Sequence, residues 1–129
     1  MQQIPLEVLV VDDQVDAAEM MVWLLQMEGH AAEMVHTGHE ALDAARRIRP
    51  DVVLMDIGLP GLDGYQVATL IRREVTLDLT LLIALTGWGN DEDRRAALGA
   101  GFDVHLLKPV SLDVLREVLG QVRQRSRSG

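Results

Sequence analysis

Three short runs of Leu, Ile and Val constrain this chain more than any other feature: LEVLVV at 6–11, DVVLM at 51–55 and TLLIAL at 80–85. Each is almost continuously apolar. A strand that reads this way is covered on both faces, as in the middle of a parallel sheet. AAEMVH at 31–36 and FDVHLL at 102–107 are more mixed and suit sheet edges. Between the runs the periodicity becomes helical. A first helix over about 14–28 carries Val15, Ala18, Val22 and Leu25 on one stripe and stops at Gly29. A second carries Ala41, Leu42, Ala45 and Ile48, with Thr37 and Glu40 at capping-box spacing before it. A third follows Asp63-Gly64 and carries Val67, Leu70 and Ile71. A short, charged fourth covers about 91–98, and a fifth follows Ser111 with Leu115, Val118, Leu119 and Val122. Trp23, among Met20, Met21, Leu24 and Met27, reads as packing in the core or on the helix face. His30, His36 and His39 read as scattered surface residues, and Arg46, Arg47 and Arg49 as a solvated face.

Strand and helix alternate five times with short loops. This predicts an α/β fold, a doubly wound five-stranded parallel sheet with helices on both faces and right-handed crossovers. The expected strand order is the flavodoxin-like 2-1-3-4-5. The 129 residues suffice for one domain and not for two. The reading is a single domain over 1–129, with a core at about 6–122 and a polar tail at 123–129 expected to be a frayed helix end. The chain stops after the fifth helix, so no output domain is expected within it.

Twenty acidic residues against twelve basic ones leave a formal charge of -8. Phosphate backbones select basic surfaces, so no direct nucleic-acid partner is expected. The absence of cysteine excludes disulfides, thiolate catalysis and cysteine-ligated metals. The N-terminus lacks a signal-peptide pattern, and no apolar stretch approaches the roughly 18 residues of a membrane span. Membrane insertion is not expected, and the cytoplasm is the expected location.

Ligands of open α/β sheets sit at the carboxyl ends of the strands. There the sequence places Asp12 and Asp13 after the first strand, Asp56 after the third, Thr86 after the fourth and Lys108 after the fifth. Converging carboxylates repel, by about 1 kcal/mol per pair at 4 Å in water and about 4 at an effective dielectric of 20. Such a cluster calls for a cation. Hard oxygen donors without imidazole or thiolate select Mg²⁺. A divalent ion, an ammonium and a hydroxyl are the parts that phosphoryl transfer uses. With no Ser, Cys or His nucleophile at this rim, a carboxylate takes the role and forms an acyl phosphate. Asp56, alone on its strand, is the candidate, and Asp12 and Asp13 resemble a metal anchor. A flavodoxin would need a Ser/Thr/Gly-rich phosphate cradle after the first strand, where adjacent acids would repel a cofactor phosphate. A haloacid-dehalogenase-type phosphatase would need two Asp separated by one residue there.

LVVDD at 9–13, LMDIGLPGLDG at 54–64, ALTG at 84–87 and LKP at 107–109 together resemble the receiver domains of two-component response regulators. The resemblance covers about residues 6–122. It implies a signalling switch rather than an enzyme, one that catalyses only its own phosphorylation and dephosphorylation. It implies Asp56 as phosphoacceptor, with Mg²⁺ (or Mn²⁺ as a substitute) held by Asp13, Asp12, Asp56 and the Gly58 backbone carbonyl. It implies Thr86 and Lys108 as the groups that close on the phosphoryl oxygens, and a cis peptide between Lys108 and Pro109. His105 stands at the switch position where Tyr or Phe is common, and its charge would add pH sensitivity. Gly58 and Trp88 sit where residues tune the phosphoryl lifetime, so slow self-dephosphorylation is expected. The implied partner is a histidine kinase or histidine phosphotransfer protein. The implied output is a changed surface around the fourth helix, fifth strand and fifth helix, with a phosphorylation-dependent dimer allowed. A degenerate receiver that binds partners without phosphorylation is disfavoured by the complete Asp12, Asp13, Asp56, Thr86 and Lys108 set. The stretch from Leu85 to Val110 also resembles receivers attached to hybrid sensor kinases, and a free-standing regulator is the other reading.

Overall fold

The computed structural model describes residues 5–57, 63–87 and 91–128, with side chains given except at position 93 and beyond 122. Five strands form one parallel sheet in the order β2-β1-β3-β4-β5: β1 Glu7–Val11, β2 Ala31–Val35, β3 Val52–Asp56, β4 Leu81–Thr86 and β5 Val104–Leu107. The helices are α1 Val15–Met27, α2 Gly38–Ile48, α3 Gly64–Arg72, α4 Asp91–Ala100 and α5 Leu112–Ser128, with a 3-10 turn at Val75–Leu77 before β4. The expected fold class and strand order both hold. The helix α5 continues through the stretch read as a tail.

The sheet is covered on both faces, which is why its inner strands carry no polar alternation. One core cluster contains Leu9, Val11, Val53, Met55, Leu82 and Ala84 with residues of α2, α3 and α4. The other contains Val8, Val10, Val52, Leu54, Ile83 and Leu85 with residues of α1 and α5. Alternation therefore assigns every strand residue to a side. Asp56 follows Leu54 towards α1 and α5, and Thr86 follows Ala84 towards α2, α3 and α4.

Local chemistry sets where the helices begin. The Thr37 hydroxyl accepts the Glu40 backbone N–H at 3.1 Å and caps α2, a contact worth about 1 kcal/mol. The Glu40 carboxylate turns to the Thr37 hydroxyl and the His36 N–H rather than completing the reciprocal box. Asp63 and Gln66 do complete one at the start of α3. Gly64 there is required by space, because a Cβ would lie 2.7 Å from the Ile57 Cα just beyond β3. The glycine lets α3 start against the strand end that carries Asp56.

At the opposite edge, Arg72 on α3 ties down the entry to β5. Its guanidinium donates to the carbonyls of Gly101 and Thr80 and to the Asp103 carboxylate, which also accepts the Leu82 N–H. Gly101 has φ +113°, and a Cβ on it would sit 2.6 Å from the Arg72 Cγ. Gly101→Ala is expected to destabilise the domain by about 1–3 kcal/mol, from backbone strain and the displaced arginine. The measurement is the urea midpoint, and an unchanged midpoint would show that this corner yields freely.

Three expectations about side chains fail. Trp23 is 58% exposed, flanked by exposed Met20 and Met27, so α1 keeps an apolar outer face besides its buried one. His30 is not on the surface: it is 7% exposed, and its Nδ1 accepts the Leu6 N–H at 3.1 Å. Val15, read as part of the buried stripe of α1, is also exposed.

Candidate functional site

The carboxyl ends of β1 and β3 bring Asp12, Asp13 and Asp56 together. Each offers one oxygen, and these atoms all lie within 4.8 Å of one another. Asp12 is 5% exposed and is fixed from several directions. Its N–H donates to the Val35 carbonyl, and one carboxylate oxygen accepts the Gln14 N–H at 3.0 Å as the chain turns into α1. The His36 Nδ1 lies 3.0 Å from the Asp12 carbonyl oxygen. That second-strand histidine, read from sequence as a surface residue, therefore supports the acidic pair. Its place directly after β2 was the available signal. Asp13 is exposed at the mouth.

Lys108 enters from the end of β5. Its Nζ lies 3.0 Å from Asp56 Oδ2 and 3.5 Å from Asp12 Oδ2. Its backbone N–H donates to the Thr86 carbonyl at 2.8 Å, and the Lys108–Pro109 peptide is cis. Burial alone would lower the Lys108 pKa. The hydrogen bond and charge of Asp56, with a smaller share from Asp12, outweigh it and hold the value above the ordinary 10.5. For a raised lysine the pairing contributes fully below its ordinary value and is lost only as pH rises through the raised one. The ammonium is therefore a fixed charge throughout the neutral range.

Thr86 ends β4 and is 3% exposed. His105 pairs with Ala84, and Leu107 with Thr86. The expected positions Gly58 and Trp88 lie outside the described residues.

Three carboxylates against one ammonium leave two negative charges in a partly buried pocket. Among the described residues no other cation pairs with the cluster. A hard divalent cation fits this donor set, and the cluster could hold one. Beside it a cavity of about 440 Å³ opens between α1 and the β5–α5 loop, lined by Ala17, Met21, Leu24, Lys108, Pro109 and Val110.

The profile of the response regulator receiver domain matches residues 8–120. The chain belongs to this family: it is a receiver domain, the phosphoacceptor module of two-component signalling. It is 35% identical over 120 residues to the DNA-binding response regulator MtrA of Mycobacterium tuberculosis, aligning 93% of this chain with 50% of that protein. The chain thus spans about half the length of this curated relative. Among solved structures it is similar to the chemotaxis response regulator CheY4 of Vibrio cholerae, with TM-score 0.85 and 28% identity over 92% of this chain and 99% of that one. It is also similar to the receiver domain of sensor histidine kinase PA1611 from Pseudomonas aeruginosa, solved with a magnesium ion coordinated in the active site cleft. That match has TM-score 0.83 and 32% identity, over 92% of this chain and 97% of the other. No helix among the described residues is long and apolar enough to cross a membrane.

Proposed function

We propose that Asp56 accepts a phosphoryl group from a phosphohistidine of a histidine kinase or histidine phosphotransfer protein, with Asp12, Asp13 and Asp56 holding Mg²⁺. The observation that carries this is the Lys108 ammonium 3.0 Å from Asp56 inside a three-carboxylate cluster. When bound, Mg²⁺ supplies the positive charge that offsets the carboxylates and the phosphoryl oxygens. An Asp56 oxygen attacks phosphorus, the P–N bond to the donor imidazole breaks, and the imidazole leaves with its electron pair. Lys108 then exchanges its contact with Asp56 for one with a phosphoryl oxygen. The Thr86 hydroxyl closes on another, and the ring of His105 follows it. The change is a population shift between two arrangements of one fold, read out on α4, β5 and α5.

The Gly58 carbonyl completes the metal ligands in this reading, and Gly58 and Trp88 set a slow dephosphorylation. The magnesium in the PA1611 receiver supports the choice of ion. The formal charge of -8 supports a protein partner rather than a nucleic acid, and a phosphohistidine donor supports a cytoplasmic location. The PA1611 match also supports a hybrid kinase as the source of such a domain.

Intact mass after incubation with phosphoramidate and Mg²⁺ tests the reading. One adduct of about 80 Da, the added phosphoryl group, is expected; unmodified protein would overturn it. The outer face of α1 supports docking of the donor there, because exposed Met20 lines the apolar cavity next to Lys108 and exposed Trp23 follows it three residues on along the same helix. Trp23→Ala should slow transfer from a phosphohistidine protein by roughly tenfold, the loss of one aromatic anchor, and leave the phosphoramidate rate unchanged. Equal slowing with both donors would place Trp23 in the fold rather than the interface.

A further inference from the structure

The Asp12 carbonyl oxygen stands where the parallel ladder between β1 and β2 runs out. The Asp12 N–H still donates to the Val35 carbonyl, at 3.2 Å. Val11 pairs with Val35 in register, so the next bond of such a ladder would run from the Thr37 N–H to the Asp12 carbonyl. Thr37 turns away there to cap α2. Among the described residues no backbone N–H donates to the Asp12 carbonyl. The His36 ring takes that place, with its Nδ1 3.0 Å from the oxygen. A carbonyl oxygen only accepts, so Nδ1 is the donor. The imidazole offers this hydrogen both in the neutral tautomer that carries it on Nδ1 and in the charged form, so the contact does not depend on the charge of the ring.

The histidine is itself held. Its N–H faces a Glu40 carboxylate oxygen at 3.4 Å, and the same oxygen accepts the Thr37 hydroxyl at 3.1 Å. The start of α2 is thereby tied to the Asp12–Asp13 peptide. The two acids differ in what fixes them. Asp12 has a partner on each polar atom: Val35 on its N–H, His36 on its carbonyl, and Gln14 and Lys108 on its two carboxylate oxygens. Asp13 is exposed, and its carboxylate has no partner among the described residues. What aims that carboxylate is the backbone that carries it, and the peptide joining it to Asp12 is the one His36 grips. Site geometry has to hold to about half an ångström to be productive.

We propose that His36 is a positioning residue of the metal site: by donating to the Asp12 carbonyl it sets the plane of the Asp12–Asp13 peptide and so aims the Asp13 carboxylate at the ion. The inference rests on the function proposed above, in which Asp12, Asp13 and Asp56 hold Mg²⁺, and it adds a residue from outside that cluster. A partner that bonds a metal ligand directly changes affinity roughly ten- to hundredfold, and one acting through a peptide should count for less, roughly three- to tenfold. The donated hydrogen is what matters, not the ring. Asparagine places an amide N–H about where Nδ1 stands, whereas phenylalanine keeps a ring and loses the hydrogen.

The test is a Mg²⁺ titration of the whole domain, read as a dissociation constant from the Asp13 and Ile57 amides in two-dimensional NMR, with thermal melts in EDTA on the same samples. His36→Phe and His36→Leu should each raise the constant roughly three- to tenfold, while His36→Asn should stay within about twofold of the wild type. The phosphoramidate rate of His36→Phe should fall at low Mg²⁺ and recover at saturating Mg²⁺, because the site is misaimed rather than lost. Unchanged affinity in His36→Phe and His36→Leu overturns the proposal, whatever their melting temperatures. So does a loss in His36→Asn as large as that in His36→Phe, which would make packing of the ring the cause. Should His36→Phe fail to fold, the smaller His36→Leu carries the comparison with His36→Asn. A wild type that binds no Mg²⁺ overturns the metal reading itself, and this proposal with it.

Discussion

Asp56→Asn is expected to remove the phosphoryl adduct completely while leaving the fold in place. The argument is chemical first. An acyl phosphate forms from a carboxylate oxygen with an available electron pair, and the carboxamide that replaces it is a far poorer nucleophile. No Ser, Cys or His stands at the ends of β1, β3 or β5 to substitute for it, and His36 at the end of β2 has its Nδ1 turned to the Asp12 carbonyl. The two remaining acids are placed differently. Asp12 is buried and already committed to the Gln14 N–H and Lys108, and Asp13 lies outside at the mouth. Asparagine keeps the shape of aspartate, and Lys108 retains Asp12 at 3.5 Å. One attraction to Lys108 is lost, and two repulsions with the neighbouring acids are lost with it. At about 1–4 kcal/mol for each such pair these effects oppose one another, so the melting temperature should move by only a few degrees. Intact mass and circular dichroism of the same sample check both halves. An adduct of about 80 Da on Asp56→Asn would move the acceptor elsewhere. An unfolded variant would instead give Asp56 a structural role, leaving the acceptor to be found by mapping the adduct on the wild-type chain.

Magnesium should stabilise the resting domain, and Asp13→Ala should erase that gain. A ligand that binds only the folded state contributes about 2.7 kcal/mol at a hundred times its dissociation constant. In a domain of this size that amounts to roughly 10 °C in melting temperature. The size of the effect follows from the cluster. Its three oxygens within 4.8 Å carry a net repulsion that Lys108 only partly offsets, and the ion removes it. Asp13 is the exposed member of the three and makes no ion pair among the described residues. Removing it should leave the metal-free protein as stable as before, or slightly more so, while the response to the metal disappears. Thermal melts with Mg²⁺ and with EDTA, on both proteins, measure this. Equal melting temperatures for the wild type in the two conditions would remove the metal from the account.

The sequence by itself determined the order of elements and the roster at the sheet's carboxyl edge. Buried parallel strands must be nearly all Val, Ile or Leu, so β1, β3 and β4 announce themselves. The residues that follow them, Asp12, Asp13, Asp56 and Thr86, then fall on one rim because every strand runs the same way. Strand β5, with Val104, His105, Leu106 and Leu107, is less regular, and Lys108-Pro109 marks its end more clearly than its hydropathy does.

Only the tertiary structure decided distances, sides and coverage. That three carboxylates approach within 4.8 Å and that Lys108 lies nearer Asp56 than Asp12 depends on strand register and on where each helix begins. Periodicity tells which residues of α1 share a face. It does not tell how many faces the rest of the molecule covers, so Trp23 read as packed and is exposed, while His30 read as exposed and is buried against Leu6. The same holds for His105. A strand's alternation is visible in one dimension, but that its buried Nε2 finds no hydrogen-bond partner among the described residues depends on everything around it. Hydrophobic pattern acts locally and can be read locally; burial, electrostatic pairing and free space are sums over neighbours that are distant in the chain.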